Sequence, residues 1–433
     1  VDPWRTKTAV TPAVTSRTPP AARSRAKTTF PGGTTQTVTP DDSNRPTKVG
    51  VKSGTTTLSS ISYDYSLSGK DTDKIRKRTA DGATTAYSYD TLGRLTKAVE
   101  TKDGSTTAGW AYCYDKAGNR TGRSSGTSLP TCDKPQHTST YNDAGELTAY
   151  DTATGFTYDG AGNETSAASP TGTRTNENWT PYTQLAAYTQ SGATTSHTYA
   201  GIDNTQRLTR DSTTFTNAAV GITGQTASGT AAGFVREPSG TLVAMRSGGN
   251  SQYYLTDAQN SVIGLVDTSG KRTATYTYGP YGEPRTNSGT QQPFRYTSAY
   301  LDPTGLYKMG ARYYDPNLGR FTQPDPSGQE KNTYLYTQGD PINRSDPTGT
   351  FSLGDLDKFA GWAENAKEFW SIGQDLFSGN VTAAARSSAS LTAGYVVGAV
   401  CEAATGPESG FISTAGCFAA GYLTSKSVEF WLS

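Results

Sequence analysis

The chain has 433 residues, of which only 33% are hydrophobic, with 47 Gly, 22 Pro and a mean hydropathy of -0.61; this excludes an ordinary aliphatic core as the main organising feature. Lys and Arg nearly balance Asp and Glu, for a net charge of +1 at pH 7, which excludes a dominant electrostatic partnership with nucleic acid or anionic membrane. The two histidines, His137 and His197, leave little material for Ser-His-Asp, Cys-His or zinc chemistry, and each is read as a surface or satisfied side chain.

What remains is 26 Tyr, 13 Phe and abundant Thr, residue types that suit a pleated, half-buried surface. Residues 1–48, with runs such as TPAVTSRTPPAARSRAKTTFPGG, are poor in aliphatics and are expected to be a disordered linker or the truncated edge of a larger domain. No n-region, h-region or cleavage site follows Val1, so the chain is expected to be a mature form or a fragment.

Residues 49–250 carry an internal repeat. SYDYSLSGK from Ser62 recurs as SYDTLGRLT from Ser88, CYDKAGNRT from Cys113, TYNDAGELT from Thr140 and TYDGAGNET from Thr157, with a decayed copy, YAGIDNTQRLT, from Tyr199. In each unit the Asp or Asn bonds the backbone two residues on and the Gly supplies a positive φ, so the unit is a tight turn between two strands. One such hairpin cannot bury its own face, so the units are expected to stack. Four cysteines fall into two local pairs, Cys113 with Cys132 and Cys401 with Cys417. Neither has CxxC spacing, and both are expected to be disulfides of an oxidising compartment, free buried thiols being the alternative.

Residues 251–349 continue the strand period. In Arg272 to Gly279, RTATYTYG, Thr273, Thr275 and Thr277 share one face while Ala274, Tyr276 and Tyr278 share the other. Further on come YYLTDAQNSVIGLVDTSG from Tyr253, YTYGPYGEP from Tyr276 and FRYTSAYLDPTGLYKMGARYYDPNLGRFTQPDP from Phe294. On these motifs the chain resembles the RHS or YD-repeat proteins: bacterial polymorphic toxins, Tc toxin C components and animal teneurins, with 251–349 as the RHS-associated core. The resemblance implies a mainly β fold, a YD-repeat hairpin array forming part of a curled sheet or shell that the core closes at one end.

Two Asp-Pro-x-Gly elements stand near the end of that core, Asp325 to Gly328 and Asp346 to Gly349, with Arg312 and Arg320 upstream. Read alone, each is a type I turn. Read together, two carboxylates in a closed space share a proton, one activating water while the other polarises a carbonyl, as in aspartic proteases. Proteins of this resemblance cut their own chain just after the terminal element, which implies Asp325 and Asp346 as the acids, Arg312 and Arg320 as their arginines, and a cut near Thr350. The family has an apolar residue directly after this element, where Thr350 stands here.

Residues 350–433 change period. DLDKFAGWAENAKEFWSIGQDLF places Leu356, Phe359, Trp362, Ala363, Ala366, Phe369 and Trp370 at helical spacing, and two further arms around Gly406-Pro407 are expected to form a helical hairpin. A small α-helical C-terminal tail, as effector or effector-linker, is therefore expected. The GxxxG at Gly394 and Gly398 leaves soluble packing and membrane activity both open. The resulting reading is a β-shell fragment that encloses and delivers a C-terminal effector in competition between cells. An immunity protein for the tail and a target-cell surface or glycan are the expected partners, nucleic acid is not one, no cofactor or metal is expected, and the location is secreted or cell-surface. The alternatives are an adhesion or glycan-binding protein with a helical cap, and a membrane-active tail.

Overall fold

The computed structural model describes residues 26–350, apart from 130, 219 and 238–239, together with the backbone of 353–354. The expected helices of 350–433 and the Cys401–Cys417 pair lie outside the described residues.

The repeat turn explains why the chain meanders. In the unit at Tyr89-Asp90 the Asp90 N–H donates to Arg94 O at 3.0 Å, and Gly93 N–H returns to Asp90 O at 3.0 Å with φ +81°. The Asp90 carboxylate meanwhile accepts the Leu92 and Arg94 N–H groups at 3.0 and 2.9 Å. Asp115, Asn142 and Asp159 close their turns in the same way. Each turn sends one strand back along its predecessor, so strands pair in sequence order. Eleven strands from Ala26–Thr29 to Leu147–Tyr150 form one antiparallel sheet and fourteen from Thr157–Tyr158 to Pro284–Gly289 form a second.

The repeat tyrosine carries the stacking. Tyr89 donates its hydroxyl to Ile75 O at 2.8 Å, Tyr114 to Leu95 O at 2.8 Å, Tyr141 to Arg120 O at 2.9 Å, Tyr199 to Leu185 O at 3.0 Å and Tyr278 to Val262 O at 2.7 Å. Four of the acceptors, at Leu95, Arg120, Leu185 and Val262, open the strand that follows an earlier turn. The Arg of the YDxxGR form does the same work electrostatically: Arg94 bonds its own Asp90 at 2.7 Å, donates to Asp115 O at 2.9 Å and lies 4.6 Å over the Tyr114 ring. Each such bond contributes about 1 kcal/mol net, so the array is stabilised by repetition rather than by a large aliphatic interior. Period two holds in Arg272–Tyr278, where Ala274 and Tyr276 are buried between half-exposed threonines.

Of the two expectations for residues 1–48, a disordered linker or the truncated edge of a larger domain, the first does not hold over the described part, since Ala26–Thr29, Thr34–Pro40 and Pro46–Ser53 are strands. Thr34, Gln36 and Val38 alternate inward and are buried. Gln36 exchanges hydrogen bonds with Thr256, its amide with the hydroxyl and its carbonyl with the backbone N–H, each at 3.2 Å. A polar strand can be buried when every polar group finds a partner. The expected Cys113–Cys132 disulfide is present and ties the strand Ser105–Tyr114 to a loop.

Residues 290–350 are turns and short strands, largely buried, that touch both sheets. A four-stranded sheet, Tyr300–Leu301, Tyr307–Met309, Arg312–Asp315 and Arg320–Phe321, organises them. Around it, Tyr296, Tyr307, Tyr314, Phe321 and Tyr336 share one aromatic cluster with ring centroids 4.4–6.4 Å apart. Charges anchor it outward: Asp302 takes Arg207 in a fork at 2.6 and 2.9 Å, Asp340 takes Lys74 at 2.6 Å, and Asp315 accepts the Ser169 and Thr171 hydroxyls at 2.5 Å. This segment joins the two sheets, alongside direct bonds between them such as those of Gln36 with Thr256 and Arg285 with Glu100.

Candidate functional site

The chain's last described residues close on the core as a clasp. Asp346, fully buried, sits beside the equally buried Arg312, whose Nη2 donates to its Oδ2 at 2.9 Å. Arg312 is fixed by a second bond, to Thr333 O at 2.9 Å, and by the Phe321 ring 3.5 Å below its guanidinium. Burial pushes the Asp346 carboxyl above the ordinary range, and the neighbouring Arg312 opposes that push. Its other oxygen accepts the Thr348 hydroxyl and the Thr350 N–H, each at 3.2 Å.

Backbone geometry forces the Asp346 turn into this position. Ala311 N–H donates to Thr348 O at 2.8 Å, and Gly349 has φ +64° with Met309 O so close that a Cβ would strike it. Only glycine serves there. After Thr350 the chain returns beside its approach, with Leu353–Gly354 paired antiparallel to Arg344–Ser345.

The other element reaches the same residue at its carbonyl oxygen. The Asp325 carboxylate is buried and accepts backbone N–H groups of Ser327, Gln329 and Glu330 at 2.9, 2.9 and 3.1 Å. It also contacts the Ser327 hydroxyl, which lies 2.8 Å from each of its oxygens and 3.0 Å from Thr350 O. Thr350 is thus held at its nitrogen by Asp346 and at its carbonyl oxygen by Ser327 on Asp325. The two carboxyl groups make no direct hydrogen bond with each other among the described residues.

Of the four residues singled out in the sequence, Asp325, Asp346 and Arg312 gather here. Arg320 does not bond any of them: it donates to Gly145 O at 2.9 Å and stacks 4.4 Å from Tyr334, so its contacts serve the joint between core and repeat array. Ser327 was not singled out, because the variable position of a DPxG turn carries no pattern of its own. A further DPxG, Asp302 to Gly305, closes a similar turn but spends its carboxylate on Arg207 and Arg210. Motif alone therefore does not separate an anchor from a site.

The histidines stand apart from the clasp. His137 pairs with Asp151 at 2.8 Å on the surface, and buried His197 donates from Nδ1 to Leu185 O at 3.0 Å. Burial, helped by Arg207, lowers His197 to about 4, so it is neutral at pH 7. No group of three or more His, Cys, Asp or Glu among the described residues is placed to hold a metal ion. Likewise no helix among them is long and apolar enough to cross a membrane.

A sequence-ordered meander stapled by Tyr-Asp turns and filled by a turn-rich aromatic segment defines a YD-repeat β-shell architecture. The comparisons agree. The teneurin YD-shell family matches residues 226–343. Salivary gland surface protein 1 of Aedes aegypti is 37% identical over 131 residues, covering 29% of this chain and 4% of that protein. The tRNA3(Ser)-specific nuclease WapA of Bacillus spizizenii is 27% identical over 307 residues, covering 65% of this chain and 11% of that protein. The chain thus spans only a small part of these relatives. The Tc holotoxin pore of Photorhabdus luminescens shares the fold with a TM-score of 0.59 at 17% identity, over 74% of this chain and 18% of that one. The chain is thus similar to RHS/YD-repeat proteins, toxins among them, and shares their β-shell fold.

Proposed function

We propose that this chain is the closing part of a secreted RHS-type β-shell that carries a C-terminal effector segment and releases it by cutting its own backbone after Thr350. The observation that supports this reading is the double hold on Thr350, with one DPxG carboxylate at its nitrogen and the other, through Ser327, at its carbonyl oxygen. Water adds to the Thr350 carbonyl carbon and gives its proton to Asp346, whose raised carboxyl is a stronger base than an ordinary one. The carbonyl oxygen is met from the Asp325 side. The Thr350–Phe351 bond then breaks as the proton on Asp346 passes to the departing nitrogen. Arg312 keeps Asp346 charged and aimed, and the double hold supplies the orientation that makes an intramolecular reaction fast.

Asp325→Asn and Asp346→Asn test the reading on a denaturing gel: wild type runs as two bands and either variant as one. Wild type running as a single band refutes it. The effector role of residues 351–433, an immunity partner and a target-cell surface follow from the same reading, and a gene for a small inhibitory protein adjacent to this one is the matching observation. A second reading, adhesion, is favoured by a cleft of about 490 Å³ lined from both sheets by Tyr87, Trp110, Tyr276, Tyr278, Arg78 and Glu100; aromatic faces beside charged groups suit a glycan. Binding on a glycan array together with an uncut chain would select it.

A further inference from the structure

We infer that Ser327 is a catalytic residue, the proton relay through which Asp325 acts on the Thr350 carbonyl; this rests on the self-cleavage reading above. Asp325 makes no hydrogen bond of its own with Thr350 among the described residues, and three N–H groups of its own turn hold it in place. Only the Ser327 hydroxyl spans the gap, 2.8 Å from both Asp325 oxygens and 3.0 Å from Thr350 O.

Hydrogen counting decides the arrangement. A hydroxyl supplies one hydrogen and accepts on its lone pairs, yet Ser327 faces three oxygens that are acceptors whenever Asp325 is charged. In that state its hydrogen goes to one of them and Thr350 O is left against a lone pair. With a proton on Asp325 both contacts are satisfied: Asp325 donates to Ser327, and Ser327 donates to Thr350 O. The relay therefore requires a proton on Asp325, with Asp346 held beside Arg312 at 2.9 Å.

The steps then balance. Water adds to the Thr350 carbonyl carbon and its proton goes to Asp346. As the oxygen gains charge, the Ser327 proton moves onto it and the Asp325 proton replaces the one Ser327 gave up. On collapse the C–N bond to Phe351 breaks, Asp346 protonates the leaving nitrogen, and the new hydroxyl returns its proton through Ser327 to Asp325. The products are a carboxylic acid at Thr350 and an amine at Phe351, with both acids restored.

The full 433-residue chain is made by cell-free translation and the fraction cut is followed with time. Removing one donor to a developing oxyanion costs roughly 10²- to 10³-fold. Ser327 is exposed, so a water can stand in, and the low end is expected: Ser327→Ala cuts about 10²-fold more slowly. Ser327→Thr, which keeps the hydroxyl, cuts within about threefold of wild type. A purely structural role would not be rescued by Ser327→Thr. Ser327→Ala at the wild-type rate, or Ser327→Thr as slow as the alanine variant, overturns the relay while leaving self-cleavage standing. A wild-type chain that stays uncut overturns both.

Discussion

Removing the Arg312 guanidinium is the sharpest perturbation of the clasp. In Arg312→Met the apolar stem keeps its packing on Phe321, but Asp346 loses its 2.9 Å partner and retains only two long bonds at 3.2 Å. Breaking a buried ion pair from one side costs about 3–5 kcal/mol, since a charge is left uncompensated. With an unfolding entropy of about 2.1 cal/mol/K per residue over roughly 320 described residues, that loss lowers the melting temperature by about 4–7 °C. The sign with pH follows from burial. Asp346 already lies above its ordinary value with Arg312 opposing the rise, so without Arg312 it climbs further. A raised carboxyl stabilises the fold below its unfolded value and loses that contribution as pH rises through the folded value, so the variant suffers more at pH 8 than at pH 5. Circular-dichroism melts of Arg312→Met in an Asp325→Asn background, which keeps the chain whole, measure it. A melting temperature within 1 °C of the background at pH 8, or a larger loss at pH 5, refutes the argument.

Glu177 offers a pH test far from the clasp. It shares buried Arg174 with Glu164, and burial, then the Glu164 charge, raises it to about 8 from 4.5. Its stabilising contribution is complete below about 4.5 and lost as pH rises through about 8, so Glu177→Gln gains stability relative to wild type on going from pH 5 to pH 8, read by melts at the two values. Tyr89→Phe removes a hydroxyl that donates to Ile75 O at 2.8 Å and accepts the Asn343 amide at 3.0 Å. It takes this donor from the Ile75 carbonyl and leaves the Asn343 amide with its Asp340 bond alone, costing about 1–3 kcal/mol, with hydrogen exchange rising at both the repeat strand and residues 340–345 if the tyrosine joins array to core. Gly349→Ala forces a Cβ onto Met309 O at a positive φ, so the Asp346 turn is displaced from Arg312, cleavage is lost, and the melting temperature falls as it does in Arg312→Met.

Much of the array was legible in the sequence because its information is local. The Asp and Gly of DTLGR and DKAGN fix a turn within five residues, and the period-two pattern of RTATYTYG fixes the strand. The same locality misled where the pattern weakened. Thr180 to Gln184 closes the same turn with Thr183 at φ +58° in place of glycine, and the unit at Tyr199 keeps its tyrosine bond but turns at Gly201 and Ile202. Thr34 to Val38 reads as a polar linker because its partner, Thr256, is 220 residues away.

The site shows the same limit. Asp325, Asp346 and Arg312 were visible through the repeated DPxG and its upstream arginine. Arg320 stands eight residues from Arg312 in a neighbouring strand of the same small sheet, yet spends itself on Gly145 and Tyr334. Spacing could not separate them, because which strand face meets the Asp346 turn is set by the tertiary path of Gly310 and Gly349. Ser327 and the Glu164, Arg174, Glu177 and Asp315 cluster had no sequence pattern, since each is defined by residues brought together across the fold.

Intact-mass spectrometry of the freshly purified wild-type chain tests the central claim most directly. The account predicts two masses, one for residues 1–350 ending in a free carboxyl on Thr350 and one for residues 351–433 beginning at Phe351. A single mass for the unbroken 433-residue chain, or a cut at any other bond, would contradict it.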